Sequence, residues 1–510
     1  MSQLKIVKNA FANICRISIG ALVSLSVPPF LIGILSKEAY GTWLLILQLS
    51  AYVSFMEFGI QTAVGRYVAH HNELGEFRER DRIVSTALAI LTGLGLVAIV
   101  GIVILAGQLP HLFAGMPSRL HQDAQLALLY VGGSLAIALP FSVFGGIFIG
   151  LQRYDVPAWI LGVSRLLGGA FIVLAAHTSH SIVMMAVAIS ITNIGAGLWQ
   201  FLAARRVASD IHISIQGISK VTGVEISGYC LSLTVWTVGM LLVSGMDTIV
   251  VGYFDYQSVV YYSLAASLTN FLLSIHTAIF GVIMPQAAAI GATKDREALG
   301  DLLVSTTRYG AIILIITSLP LVFGARWFLT LWIGDSYADK TTLILQIMVI
   351  ANCIRYIGAP YANIALAVGA QKQIFLAPVA EALVNITISL ILTAYYGVIG
   401  VVIGTFCGAF VTVAIHYGYS LNRTTQINVK DRKLLIYAVA RPILSVVPAA
   451  CIWLIYQQMN LSSSLEFIFL VGLTIFSYLF LWRYAMINSE RAQLRIAIYA
   501  KVDQFRSKQL

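Results

Sequence analysis

Within the stretch MVIANCIRYIGAPYANIALAV, Met348 to Val368, a single arginine stands among apolar residues. Arg355 stays ionised in essentially any protein environment, and its planar guanidinium offers parallel donors that match phosphate or carboxylate oxygens. Asn352, Arg355, Ala359 and Asn363 follow one another at spacings of three, four and four, so a helix places them on one face. Ile347, Ile350, Ile354 and Ile357 fall on other faces. A second stripe, Ser50, Ser54, Glu57 and Gln61, has spacings of four, three and four. A third, Asn270, Ser274, Thr277 and Gly281, extends back through Ser267 and Ser263. A fixed cation with hydroxyls and amides suits the binding of a polar anion, and the carboxylate of Glu57 marks a site that meets a partner or a water-filled cavity. Covalent chemistry has no comparable set: the outer loops carry neither paired carboxylates nor a Cys/His constellation.

The elements that must position these residues are set by composition. Of 510 residues, 59% are hydrophobic and 11% charged, and the mean hydropathy is +0.86, which places the chain in a membrane. About 20 apolar residues cross the hydrocarbon core as a helix, and fourteen such segments are predicted, from 10–35 at one end to 465–486 at the other. Basic residues orient them, because cytoplasmic loops carry the excess of Lys and Arg. With the N-terminus inside, the outer side holds only Lys37, Arg119, Arg326 and Lys340, and both termini are cytoplasmic. The net charge of +10 is therefore dispersed by topology, which argues against a nucleic-acid partner and for anionic membrane lipid. MSQLKIVKNAFANICRISIG begins like a signal peptide, but its long apolar run carries Arg16 and lacks a small-residue cleavage pattern, so it reads as a retained first span. Cys15, Cys230, Cys353, Cys407 and Cys451 all fall in predicted spans without CxxC spacing, so neither a disulfide framework nor a metal site is expected.

Arg355 lies too deep in its span to snorkel, and placing it there costs roughly 2.5 to 3.5 kcal/mol on insertion scales. It must face protein or water, and Pro360 is expected to open the backbone beside it. Two roles stand: contact with an anionic substrate, or an ion pair with Glu57, about 7 Å nearer the cytoplasm at 1.5 Å per residue. Arg16, Arg165, Arg308 and Arg441 lie near the cytoplasmic face and read as interface anchors, with Arg16 the best functional candidate among them. Glu381 sits near the cytoplasmic end of its span and Asp247 near the outer end of its own, and His276 reads as a packed neutral histidine.

An internal repeat organises the chain. IVSTAL at 83–88 returns as LVSTTR at 303–308, 220 residues on, each after a short charged loop. The same offset lays the stripe containing Glu57 over the one containing Ser274. Six spans per half is an even number, so the halves are parallel repeats about an axis along the membrane normal. The expected organisation is all-α: a six-helix half over 1–206, a cytoplasmic linker over 207–224, a second half over 225–420, two further spans over 434–486 and a basic tail over 487–510.

YGTWLLILQLSAYVSFMEFGIQTAVGRYVA, GMDTIVVGYF with its continuation VVYYSLA, and the duplicated fourteen-span layout resemble the Wzx-type polysaccharide flippases of the multidrug/oligosaccharidyl-lipid/polysaccharide exporter superfamily. The resemblance implies a bacterial inner-membrane protein, not an enzyme and without a cofactor, that moves an oligosaccharide on polyprenyl pyrophosphate to the outer leaflet by alternating access. It implies further partners in a polysaccharide polymerase and chain-length machinery. Arg355, Arg16, Asn352, Asn363, Asn270 and Ser274 are then the expected cavity residues, and Glu57 and Asp247 the candidates for a coupling ion. In such proteins the acidic residue before Phe-Gly is often aspartate; Glu57 keeps the charge. A drug or metabolite antiporter of the same superfamily is the competing reading, and a midplane cation argues against it. A sugar porter of the major facilitator class fits twelve spans but not the loop between spans two and three. A membrane-embedded polymerase or ligase would need extramembrane catalytic segments that loops this short do not supply.

Overall fold

The computed structural model describes residues 3–230, 245–457 and 463–486. Every regular element among them is helical, as lipid demands, since a helix satisfies its own backbone where no water can. Among the described residues, 13 helical segments are long and apolar enough to cross a membrane. The expected span over 225–250 falls largely on 231–244, outside the described residues, as does the tail over 487–510.

Two compact units are formed, residues 1–271 with 382–404 and residues 272–381 with 405–510. The first holds α1 (Gln3–Ile34), α2 (Lys37–Phe55), α3 (Ile60–Glu73), α4 (Phe77–Leu112), α5 (His121–Ala138), α6 (Ser142–Gly150), α7 (Asp155–Ser179), α8 (Ile182–Val207) and α9 (Met246–Phe254). Helix α10 (Val259–Phe280) runs from the first unit into the second. The second contains α11 (Ile283–Ala292), α12 (Arg296–Phe323), α13 (Ala325–Ile333), α14 (Asp335–Ile357) and α15 (Ala359–Ala367). Helices α16 (Leu376–Tyr396) and α17 (Val398–Ala414) contribute residues to both units, and α18 (Arg432–Tyr456) and α19 (Ser463–Phe480) complete the second. In the first unit α7 packs between α1 and α8, α5 packs on α8 and α4, and α3 packs on α6. In the second, α12 contacts α14, α15 and α18, so the late α18 is built into the unit's core.

Small residues bring helices together where lipid gives no hydrophobic reason to associate. A Cβ on Gly146 of α6 would stand 2.7 Å from the Gln61 carbonyl oxygen of α3, and one on Gly150 would stand 2.9 Å from that of Gly65. Only glycine permits this backbone approach.

Among the described residues, spans are broken at corresponding places in the repeat. The second breaks at Met56–Gly59, where Phe58 has φ 51° and Gly59 φ 77°. The eighth breaks at Gly281 and Val282. The fourth tightens to a 3₁₀ turn over Leu139–Phe141 around Pro140, and the tenth breaks at Gly358 ahead of Pro360. Pro140 and Pro360 are 220 residues apart, the offset of the sequence repeat. Proline lacks the N–H that continues a helix, which fixes the position of these breaks.

The chain leaving each half is fastened over the start of that half's third span. After α8, Arg80 Nη1 donates to Asp210 Oδ2 at 2.6 Å and Nη2 donates to the Asp210 carbonyl at 2.8 Å. Ser214 and Ser219 donate backbone N–H groups to Ser85 Oγ and Thr86 Oγ1. Arg80 is fully buried, and its guanidinium holds the Asp210 carboxyl below the ordinary carboxylate range. In the second unit the Asn428 N–H donates to the Arg296 carbonyl at 2.9 Å, and Lys430 meets Glu297 at 2.9 Å. Arg80, one of many basic loop residues in the charge pattern, is thus a structural clamp.

Candidate functional site

Arg355 stands in the last turn of α14, directly before the break. The Gly358 N–H donates to the Arg355 carbonyl at 3.1 Å, and α15 restarts with Pro360 in its first turn, a position where its fixed φ suits a helix start. Gly358 is required by a neighbour: a Cβ there would lie 2.7 Å from Cδ2 of His416. The Ile357 carbonyl freed by the break accepts from the Tyr417 hydroxyl at 2.8 Å, and that hydroxyl lies 3.1 Å from Thr307 Oγ1. The break that Pro360 predicts is therefore present, and its exposed carbonyl is satisfied from α17's continuation.

Within its own unit, Arg355 finds its counter-charge in Glu381, a residue that the sequence placed near the cytoplasmic end of its span. Arg355 Nε donates to Glu381 Oε1 at 2.5 Å, and Thr412 Oγ1 donates to Oε2 at 2.5 Å. Glu381 is 3% exposed. The Arg355 side chain retains 23% exposure, and among the described residues its two Nη groups donate to no protein acceptor. Held by one edge, the guanidinium presents its outer fork. Beside it, Tyr356 shares a hydrogen bond of 2.9 Å with Thr277, a member of the third polar stripe.

Glu57 has a different local role. At the break of the second span, its Oε1 accepts from the Gln61 N–H at 2.9 Å in the first turn of α3, where a helix N-terminus favours negative charge. It is half-buried, and no donor to its Oε2 is found among the described residues. Asp247 is buried: Tyr262 donates to Oδ2 at 2.9 Å and Asn385 donates to Oδ1 at 3.0 Å, with Asn385 in turn accepting from Ser389.

The other expected cavity residues separate into three situations. Asn352 is 2% exposed and neither amide atom has a hydrogen-bond partner among the described residues, so it is enclosed by protein instead of facing open space. Asn363 is half-buried and donates to the Ala359 carbonyl of its own helix at 2.9 Å. Asn270 and Ser274 are exposed. Arg16 is half-buried on α1, and Arg165 of α7 lies within electrostatic reach of it. Gly20 makes room for that approach, since a Cβ there would stand 2.9 Å from Arg165 Nη1. His276 is fully buried, with Nε2 2.7 Å from Thr317 Oγ1, as expected of a packed histidine. Among the described residues no group of His, Cys, Asp and Glu is arranged to hold a metal ion.

Residues 10–174 match the MatE family. A putative O-antigen transporter of Shigella flexneri is 22% identical over 418 residues, covering 78% of this chain and 94% of the relative. Among solved structures, the lipid II flippase MurJ in an inward closed conformation has the same fold, with a TM-score of 0.69 at 15% identity, over 94% of this chain and 97% of that one. An inward-facing multidrug resistance MATE family transporter of the MOP superfamily matches with a TM-score of 0.64 at 13% identity, over 81% and 98% of the two chains.

Proposed function

We propose that this chain is a member of the multidrug/oligosaccharidyl-lipid/polysaccharide exporter superfamily, a reading supported by the MatE match and the likeness to the O-antigen transporter and MurJ, and that it is a flippase for a polyprenyl-pyrophosphate-linked oligosaccharide. It carries this lipid from the inner to the outer leaflet by alternating access, for the synthesis of a surface polysaccharide such as O-antigen, capsule or exopolysaccharide. The observation that carries the reading is the Arg355 guanidinium, anchored through Nε on Glu381 with its Nη fork uncommitted. Pyrophosphate oxygens match that fork, and the charge-assisted bonds they accept replace part of the headgroup's lost hydration. Thr412 fixes the carboxylate, so Arg355 is aimed before substrate arrives. Arg16, Asn270, Ser274 and Asn363 are the further candidates that the sequence offers for substrate contact. The polyprenyl tail stays in lipid.

Glu57 is the better candidate for ion coupling, because it retains an uncommitted carboxylate oxygen and partial exposure, whereas both oxygens of Asp247 are engaged in a buried network. The basic loops and both termini face the cytoplasm, and a polysaccharide polymerase and chain-length machinery receive the product outside. The competing reading, a cation-coupled drug or metabolite antiporter, draws on the MatE match, but a cationic substrate would meet Arg355 unfavourably. The test is loss of the gene followed by complementation. Without the protein, complete glycolipid accumulates on the inner leaflet, wild-type restores surface polysaccharide, and Arg355→Ala at equal membrane abundance does not. Full export by the alanine variant rejects the proposed site.

A further inference from the structure

A cavity of about 320 Å³ opens in the second unit where residues 421–432 cross the start of α12. Its charged lining is Arg296, the first residue of α12, and Arg432, the first residue of α18. Both are exposed, and neither makes an ion pair among the described residues. Asn422, Thr424, Thr425 and Asn428 add neutral polar groups, over an apolar floor of Leu421, Ile427 and Val429.

No carboxylate lines this cavity, although several are near. Asp295 and Asp431 are turned back onto their own helices as N-caps, accepting from the backbone of Ala298 and Lys433. Glu297 is held by Lys430, and Asp301 stands within electrostatic reach of the same lysine. The frame is fixed from three directions. Thr424 is tied to Tyr361 at 2.8 Å, and the Asn428 N–H to the Arg296 carbonyl at 2.9 Å. The Asn428 carbonyl closes over Gly300, where any Cβ would collide with it.

We propose that this cavity is a binding site for a phosphate-bearing anion, separate from the site at Arg355. Two arginines line a preformed polar hollow whose neighbouring carboxylates are engaged elsewhere, so its charged lining is cationic and suited to charge-assisted bonds with an anion. The basic-loop bias puts the cavity on the cytoplasmic side, where two sources of the same chemistry exist: the headgroup of an anionic phospholipid in the inner leaflet, and free phosphate or a soluble phosphate ester. The site stands on this unit's geometry alone and does not depend on the flippase reading.

The test uses the full chain purified in a neutral detergent and measures saturable binding of two probes, short-chain phosphatidylglycerol and inorganic phosphate, with short-chain phosphatidylcholine as the zwitterionic reference. Arg296→Gln with Arg432→Gln is expected to weaken phosphatidylglycerol binding by about tenfold or more. Arg205→Gln with Arg206→Gln makes the same charge change on the same face outside the cavity, and is expected to have little effect. Arg296→Lys with Arg432→Lys guards against misfolding and should retain intermediate affinity, while Thr425→Tyr should obstruct the hollow without changing charge. Competition by inorganic phosphate assigns a general phosphate site, and binding of the lipid without such competition assigns the headgroup. Absence of saturable binding of either anion, or equal losses in the cavity and control variants, overturns the proposal.

Discussion

Glu381→Gln isolates the charge of the Arg355 partner while keeping its shape. The glutamine oxygen can still accept from Arg355 Nε while its amide N–H donates to Thr412 Oγ1, so the first hydrogen bond survives in weaker form and the second survives with its direction reversed. A hydrogen bond to a charged group contributes about 1.5 to 3 kcal/mol and a neutral one about 0.5 to 1.5. Only the Thr412 bond becomes neutral on both sides, because Arg355 keeps its charge, and that conversion removes about 1 kcal/mol. Stripping one partner from a fully buried pair costs about 3 to 5 kcal/mol, but Arg355 keeps 23% exposure, so the expected loss lies at or below the lower end of that range. Thermal unfolding in one detergent, scored beside membrane abundance for Glu381→Gln, Arg355→Gln and the double variant, forms a double-mutant cycle. Each single variant should be less stable than wild type, and the double variant should lose clearly less than their sum. It should also remain inactive in export, because the guanidinium fork proposed to bind phosphate is gone. Additive effects, within about 0.3 to 0.5 kcal/mol, would refute the pairing and the argument built on it.

Tyr417→Phe leaves the Ile357 carbonyl without its donor and should destabilise the protein by about 1 to 3 kcal/mol, read as a lowered unfolding midpoint. Gly358→Ala drives a methyl against His416 and should cost about 1 to 3 kcal/mol, with His416→Ala restoring part of the loss. Arg80→Ala should free the segment around Asp210, seen as faster proteolysis between Ala208 and Ser219. In the wild-type chain, Arg80 holds the Asp210 pKa below its unfolded value of about 3.9. Its contribution is therefore fully present above that unfolded pKa and is lost as pH falls through the lower folded one, so protection of the segment should persist to mildly acidic pH and fail below about 4. For topology, Arg78→Cys and Lys430→Cys should resist an impermeant thiol reagent in intact cells while Asp335→Cys reacts, as the charge bias requires.

The all-helical membrane fold was legible because hydropathy and length are one-dimensional properties that lipid enforces directly. The break beside Arg355 was legible for a similar reason, since Pro360 acts on its own backbone wherever it sits. The matching break at Pro140 carried the same signal and is recoverable from the repeat offset. The partner of Arg355 was harder to identify. Depth counting favoured Glu57 and set Glu381 near the cytoplasmic end, yet a carboxylate in an apolar span marks both equally. Choosing between them needs the packing of α14 against its neighbours, and pattern along one helix does not report which other helix faces it. Arg80 was obscured for a related reason. Its chemistry matches that of every other basic loop residue, and only the return of Asp210, 130 residues later, distinguishes it.

The most direct test of substrate recognition at Arg355 is flipping in proteoliposomes of uniform orientation. Purified protein is reconstituted with a polyprenyl-pyrophosphate-linked oligosaccharide, and an impermeant glycosidase reports the fraction that reaches the opposite leaflet. Wild-type protein should expose the glycolipid well above protein-free vesicles, Arg355→Lys should be slower because a point charge lacks the planar fork, and Arg355→Ala should fall to background. Equal flipping by wild type and Arg355→Ala at matched reconstitution would contradict the assignment of Arg355 to the substrate.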